Sequence, residues 1–171
     1  NIQMIDIMAD VMRETGLLTD DDEPEIREHL VTWAHKSCWG CYGWDGNPWF
    51  RGAGHAALGP AVARGIAALK YPDVENSDFW TRYCNATLGD SLQHEDTIYN
   101  DGGYLHGWMW HLSMFGHLSG REEIFNSPGI KRTWERNLYW MHPMGAHPSL
   151  GDATGWNQEF HRYIYLFEML A

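Results

Sequence analysis

The chain has 171 residues, which is the size of one ordinary domain and is long enough to bury a core. Its 12 Lys and Arg against 23 Asp and Glu give a net charge of −11, which argues against a nucleic acid partner because binding to phosphates requires cationic side chains. No apolar stretch has the length and purity of a membrane span, so no membrane partner is expected.

Helical periodicity dominates the chain, and almost no strand is predicted. Pro24 suits a first helical turn after an acidic, exposed run, whereas Pro60 is expected to kink its helix because the ring clashes with the preceding turn. Seven helical segments are predicted, at about residues 1–15, 24–36, 52–70, from the cap Asn76-Ser77-Asp78 to 92, 103–118, from after Gly129 to 139, and from 154 onward.

Helices in series with aromatic-rich loops predict an all-α fold of antiparallel helical hairpins. No linker or low-complexity segment divides the chain, so residues 1–171 are expected to form a single helical domain. The first residues already follow a helical rhythm and the last ones carry no stop signal. We therefore expect a fragment or processed chain of a larger protein, with the remainder of its parent chain as a possible partner.

Three loops rich in Gly and Trp separate these helices, at residues 39–51, 100–110 and 142–156. Binding residues concentrate in loops that a rigid scaffold positions. If alternate helix ends face one rim, the three loops converge on a single groove. Aromatic faces there can stack on sugar rings while Asn, Asp and His bond the hydroxyls. The loops therefore predict a polysaccharide or oligosaccharide ligand.

The helix that follows Asn100 has an unusual composition, because no charged residue occurs between Gly102 and Gly120. A helix that is apolar on all sides is buried or lines a site. Core packing is the alternative for each single aromatic residue. Spacing sorts the helix into a core stripe of Leu105, Met109, Leu112 and Gly116, a second stripe of Tyr104, Trp108, His111 and Phe115, and a third of His106, Trp110, Ser113 and His117.

Three cysteines are too few for a disulfide scaffold. His35, Cys38 and Cys41 have the spacing of zinc ligands, but a second paired element is missing. Small buried thiols are the favoured interpretation. We therefore predict no metal and no cofactor.

Short motifs in the three loops resemble the helical toroid of heparinase II/III-like and alginate-type polysaccharide lyases and of the related glucuronyl epimerases. The resemblance covers roughly residues 40–160 and implies that the hairpins form part of an incomplete α/α toroid. It rests on the segment from Asn47 to His55 with the following Ala56-Ala57-Leu58 and Ala67-Ala68-Leu69, on Asn100-Asp101-Gly102-Gly103-Tyr104, and on His147-Pro148-Ser149-Leu150-Gly151-Asp152.

The reaction that the resemblance implies is β-elimination at a uronic acid, which starts with removal of the proton next to the carboxylate. That carbon acid is weak until a donor neutralises the carboxylate charge. By resemblance, Asn47 and His55 are the candidate neutralisers, and Tyr104 and His106 lie in the segment that supplies the base.

Eight further residues are predicted to bind the substrate, as loop or helix neighbours of these four. Arg51 suits a substrate carboxylate, although a local bond to Asp45 is the alternative. Asp152 has a helix cap as its alternative role, and His147 can simply be solvated. The predicted substrate-binding residues are Trp44, Trp49, Arg51, Trp108, Trp110, His111, His147 and Asp152.

Two positions depart from the lyase pattern. His106 stands where such lyases often have Glu, and Trp110 stands near the usual catalytic Tyr. Trp cannot act as a base, so either Tyr104 or His106 takes that role or the chain only binds. The sequence thus predicts a secreted or periplasmic polysaccharide lyase, with a uronyl epimerase and a non-catalytic glycan-binding domain as alternatives.

Overall fold

The computed structural model describes residues 2–36, 55–93 and 102–140, and every regular element within these ranges is helical. A short 3-10 turn, Asp20–Asp22, precedes the second helix. The prediction of an all-α fold is confirmed for this part of the chain. The helices are α1 (Ile2–Glu14), α2 (Glu23–Lys36), α3 (His55–Lys70), α4 (Ser77–Gln93), α5 (Gly102–Ser119), α6 (Glu122–Phe125) and α7 (Pro128–Trp140).

The predicted helix boundaries agree closely with α1 to α5 and α7. The sequence missed α6 because four residues are too few to show a periodic pattern, although Ile124 in α6 is buried. Pro60 lies inside α3, which runs as one helix from His55 to Lys70. The helix predicted from residue 154 onward lies outside the described residues.

Glycine ends two of the helices. Gly16 and Gly120 have φ values of 72° and 66°, in the left-handed region that other residues rarely adopt. After α5, the Arg121 N–H donates to the Gly116 carbonyl at 2.9 Å and the Gly120 N–H donates to the His117 carbonyl at 3.3 Å. This Schellman pattern satisfies carbonyls that the helix leaves unpaired and sets the path of the chain into α6.

The acidic run before α2 starts that helix, as the sequence indicates. Thr19 donates from its backbone N–H and from its hydroxyl to the Asp22 carboxylate, at 2.8 and 3.0 Å. These bonds hold the pKa of Asp22 below its usual value, the backbone bond contributing most. The acidic residues of the turn are exposed, apart from a half-buried Asp22, and they lie where a negative charge favours the helix dipole.

The core is arranged around α3 and α5. From Ala57 to Ala68 every residue of α3 is buried except the half-buried Gly59, because α2 packs on one side and α4 and α5 on the other. One cluster joins α3 to α4 and α5, and it contains Leu58, Val62, Ile66, Cys84, Leu88, Trp108, Met109, Leu112, Phe115, Ile124 and Ile130. The other joins α3 to α2 and the start of α4, and it contains Leu30, Ala34, Ala63, Ala67, Ala68, Tyr71 and Trp80.

Burial in α5 extends beyond the predicted core stripe. Met109, Leu112 and Gly116 of the core stripe are buried. Phe115 and Ser113 from the other two stripes are buried as well. The helix is therefore enclosed over most of its circumference in its second half, as its composition predicts.

Two glycines allow α3 to approach its neighbours closely. A Cβ atom on Gly65 would overlap Cys84 Sγ in α4 and would lie 2.9 Å from the Phe115 ring in α5. A Cβ atom on Gly59 would lie 2.9 Å from His111 Nε2 in α5. The contact at Gly65 leaves no room for a Cβ atom, whereas at Gly59 the His111 ring would have to shift to admit one.

A network of charged side chains joins α1, α2 and α3. Lys70 at the end of α3 donates to Asp6 and, at 3.2 Å, to Asp10 in α1. Arg13 in α1 donates to Glu23, which also accepts the Tyr71 hydroxyl at 2.9 Å. Burial, together with the bond to Glu23, raises the pKa of Tyr71, so its hydroxyl remains a donor at neutral pH.

Replacing Gly65 by Ala should destabilise the protein by about 1–3 kcal/mol, because the added methyl forces α3 away from Cys84 and Phe115. Gly89→Ala in α4 is the matched control, since nothing lies within 4 Å of its added Cβ. That control should be neutral or stabilising by roughly 0.5–1 kcal/mol. Denaturant unfolding of both variants measures the difference. Equal stability of the two variants would contradict the close approach of α3.

Replacing Lys70 by Met should destabilise the folded protein by about 3 kcal/mol, because the substitution leaves the Asp6 carboxylate buried without its cation. The double variant Asp6→Asn/Lys70→Met should recover part of this loss. Arg27→Met serves as the control, because Arg27 and Asp73 form an exposed pair worth less than about 1 kcal/mol. Thermal and denaturant unfolding measure all three variants, and similar losses for Lys70→Met and Arg27→Met would show that burial of Asp6 is unimportant.

Candidate functional site

The predicted site residues fall into three groups in the structure. His55, Tyr104 and His106 lie in helices whose backbone is described, although their side chains are not. Trp108, Trp110 and His111 are described with their side chains. Outside the described residues lie Trp44, Asn47, Trp49, Arg51, His147 and Asp152.

The helices α3 and α5 run in the same direction. Gly59 faces His111, and farther along both helices Gly65 faces Phe115. The order of the two contacts is the same in α3 and α5, so the helices are parallel. The intervening helix in the chain, α4, packs on α3 in the opposite direction, since Ser77 follows the end of α3 and Cys84 meets Gly65. The start of α3, the end of α4 and the start of α5 therefore lie at one end of the bundle, which we call the site end.

The predicted catalytic residues of α3 and α5 lie at similar heights along the bundle. The contact between Gly59 and His111 provides a common level. With a rise of about 1.5 Å per residue, His55 lies about 6 Å beyond this level, His106 about 7.5 Å and Tyr104 about 10.5 Å. Residues far apart in the chain are thus brought to the same end of two packed helices.

Helix ends provide the electrostatics of the site end. The N-termini of α3 and α5 point the same way, so the partial positive charges of both helix dipoles lie there. No charged residue of the chain between Gly102 and Gly120 opposes them. The C-terminus of α4 and Asp90 in its last turn lie at the same end and add negative charge, so the two N-termini favour an anion only in their immediate vicinity.

Trp108 lies deeper than the sequence suggested. Its side chain is 0% exposed and belongs to the cluster of α3, α4 and α5. Among the residues that the structure describes, no hydrogen-bond acceptor meets its indole nitrogen. A buried unpaired donor costs about 1–3 kcal/mol, so a polar occupant beside this ring would stabilise the protein. The burial favours packing over stacking on a sugar as the role of Trp108.

Trp110 and His111 lie nearer the surface of α5. Trp110 is half-buried and packs against the edge of the same cluster. His111 is half-buried at the contact with Gly59, four residues after the start of α3. Each side chain thus keeps an accessible part, and their predicted binding roles remain predictions.

The described ranges contain neither a cluster of metal ligands nor a membrane-spanning helix. No group of three or more His, Cys, Asp and Glu side chains is placed to hold a metal ion there. His35 packs edge to face on Trp80 with a centroid distance of 4.7 Å, while Cys38 and Cys41 lie outside the described residues. None of the described helices combines the length and hydropathy of a membrane span.

Gly59 is a site residue that the sequence analysis missed. Its signal is present, because the segment from Gly52 to Lys70 is rich in Gly and Ala and such residues permit close helix contact. The partner across the contact, His111, lies about 50 residues away, and no local pattern connects the two. The contact sets the height of α3 relative to α5 and thereby the height of His55 relative to Tyr104.

Replacing Gly59 by Ala should destabilise the protein by about 1–3 kcal/mol, because the methyl displaces the His111 ring or separates the helices. The cost should fall sharply in a His111→Ala background, where the methyl occupies the space that the ring vacates. Denaturant unfolding of the four proteins in this double-mutant cycle measures the coupling. A coupling energy near zero would show that Gly59 and His111 do not form the contact between α3 and α5.

Comparison of the chain with protein-family models, with curated proteins and with solved structures found no match.

Proposed function

We propose that this chain is a carbohydrate-active enzyme of the polysaccharide lyase type that cleaves a uronic-acid-containing glycan by β-elimination. One observation carries the proposal, namely that α3 and α5 are parallel and have their first residues at the same end. His55 at the start of α3 and Tyr104 and His106 at the start of α5 are the residues that the reaction requires together.

The reaction needs a base, a neutralising group and a proton donor. The base removes the proton from the carbon next to the uronate carboxylate, and the electron pair forms a carbon–carbon double bond. The bond to the glycosidic oxygen breaks, and the oxygen leaves with a proton from an acid. In this proposal Asn47 and His55 bond the carboxylate, and Tyr104 is the base because it follows the Asp101-Gly102-Gly103 turn. His106 is the alternative base.

The electrostatics of the site end supports an acidic substrate. The carboxylate of a uronate gains charge density as the proton leaves, and donors placed in advance stabilise it most. The N-termini of α3 and α5 add two favourable dipole ends at this position. They offset part of the repulsion expected from a net charge of −11.

The helix directions support the toroid as the wider architecture. In a ring of helical hairpins, alternate helices run in the same direction and their connections gather at one rim. The directions of α3, α4 and α5 fit this rule. We infer that these helices form part of an incomplete α/α toroid, and that its rim binds the glycan outside the cell or in the periplasm.

Trp110 favours a second candidate function, a non-catalytic glycan-binding domain. Its ring is half-buried against the core, with part of the side chain accessible. An indole N–H can bond a sugar hydroxyl but cannot remove a proton. If neither Tyr104 nor His106 acts as a base, the site end would bind a uronate glycan without cleaving it.

Ultraviolet absorbance tests the lyase proposal directly. Incubation with alginate, glucuronan, ulvan and glycosaminoglycans should produce an absorbance rise with at least one polymer, because unsaturated uronates form. The same polymer with its carboxylates reduced to alcohols is the control and should give no rise. Binding without any rise would favour the glycan-binding domain. Deuterium uptake from heavy water into the glycan, without a rise, would favour the uronyl epimerase.

Tyr104→Phe should lower the elimination rate by about 100- to 10,000-fold, because it removes the oxygen that transfers the proton and keeps the ring. Tyr139→Phe is the matched control, since Tyr139 in α7 is 88% exposed, and it should leave the rate unchanged. His106→Ala should reduce the rate less than Tyr104→Phe. Full activity of Tyr104→Phe together with loss in His106→Ala would instead assign the base to His106.

A further inference from the structure

A concave region lies at the end of the bundle opposite the site end. It has a volume of about 480 Å³ and opens between α3, α4 and the last turn of α5. Sites for small molecules commonly range from roughly 300 to 1,000 Å³. Phe115 in its wall lies eleven residues after Tyr104, so about 16 Å of helix separates the two regions. We call this region the far pocket.

The floor of the far pocket is apolar and uncharged. Gly65, Cys84 and Phe115 meet there and pack too closely to admit a methyl group at Gly65, so the Phe115 ring presents only a small edge to the pocket. Burial raises the pKa of the Cys84 thiol to about 12, so the thiol is neutral near pH 7. Leu69 adds apolar surface at the mouth, where it is 54% exposed.

Arg121 provides the charge at the mouth, and hydrogen bonds to its backbone and side chain hold it in place. The Schellman turn after α5 fixes its backbone through the bond to the Gly116 carbonyl. Its Nε donates to Glu123 at 2.6 Å, and Nη1 donates to the Asn85 side-chain oxygen at 2.8 Å. A guanidinium held from two sides loses little entropy when it binds a ligand.

The mouth offers more hydrogen-bond donors than the described residues use. A guanidinium has five N–H donors, and the bonds to Glu123 and Asn85 occupy one donor each. The amide nitrogen of Asn85 also meets no acceptor among the described residues. Glu123 is mostly exposed, so water screens its negative charge and Arg121 keeps much of its attraction for an anion.

The end of α5 would normally repel an anion, because unpaired carbonyls give a helix C-terminus a partial negative charge. Here two of these carbonyls are occupied. The Arg121 N–H donates to the Gly116 carbonyl at 2.9 Å, and the Gly120 N–H donates to the His117 carbonyl at 3.3 Å. The local arrangement therefore favours an acceptor-bearing ligand beside Arg121.

We propose that the far pocket binds a small organic acid with an apolar, ring-sized body. The carboxylate is held by the free edge of Arg121 and by the Asn85 amide. The body lies against the exposed Leu69 and over the closely packed floor of Gly65, Cys84 and Phe115. The site is separate from the proposed glycan site and does not require lyase activity.

Isothermal titration calorimetry with naphthoate as the probe tests this proposal. Naphthoate should bind the wild-type chain with a roughly millimolar or tighter dissociation constant, as expected for a ligand of this size. The neutral naphthamide should bind at least tenfold more weakly. Backbone amide resonances of Gly65 and Ser119 should shift on titration, whereas that of Gly107, near the site end, should not.

Three variants locate the binding. Arg121→Gln should weaken naphthoate binding at least tenfold, and Arg82→Gln, an exposed arginine of α4 outside the pocket, should leave it within twofold. Thr81→Trp fills the mouth, retains Arg121 and should abolish naphthoate binding. This variant tests whether naphthoate binds in the far pocket even if Arg121→Gln fails to fold. No binding to the folded wild type, equal affinity for naphthamide, or equal loss in Arg82→Gln would each overturn the proposal.

Discussion

The close approach of α3 to its neighbours is the constraint on which the rest of the structure depends. Gly59 lets α3 meet His111 of α5, and Gly65 lets it meet Cys84 and Phe115. Dispersion contacts weaken steeply when packed atoms separate by even an ångström, so the glycines stabilise one helix spacing. This spacing also fixes the height of α3 relative to α5, and hence which residues share an end of the bundle.

The helix arrangement gives the two ends of the bundle different chemistry. At the site end, the N-termini of α3 and α5 favour negative charge, and the buried Leu58, Trp108 and Met109 form the apolar layer beneath them. At the opposite end, charged side chains join α1 to α3, and Arg121 joins the end of α5 to α4. The same parallel packing that gathers the candidate catalytic residues therefore also creates the far pocket.

Buried polar groups show how far packing constrains α5. Ser113 and Trp108 are almost fully enclosed, although both side chains carry hydrogen-bonding groups. Such groups are tolerated in a core only when a partner or an ordered occupant satisfies them. Trp108 lacks such a partner among the described residues, so an additional acceptor beside its ring would stabilise the core.

The sequence by itself determined the helices and the core face of α5. Periodic apolar spacing and glycine or proline at the boundaries are local signals, so α1 to α5 and α7 were predictable and the four-residue α6 was not. Only the tertiary structure decided that α3 and α5 are parallel, because the contact of Gly59 with His111 joins residues about 50 positions apart. Likewise, the position of Trp108 in the helical pattern was consistent with lining a groove or with packing in the core. The cluster that it forms with residues of α3 and α4 encloses its ring.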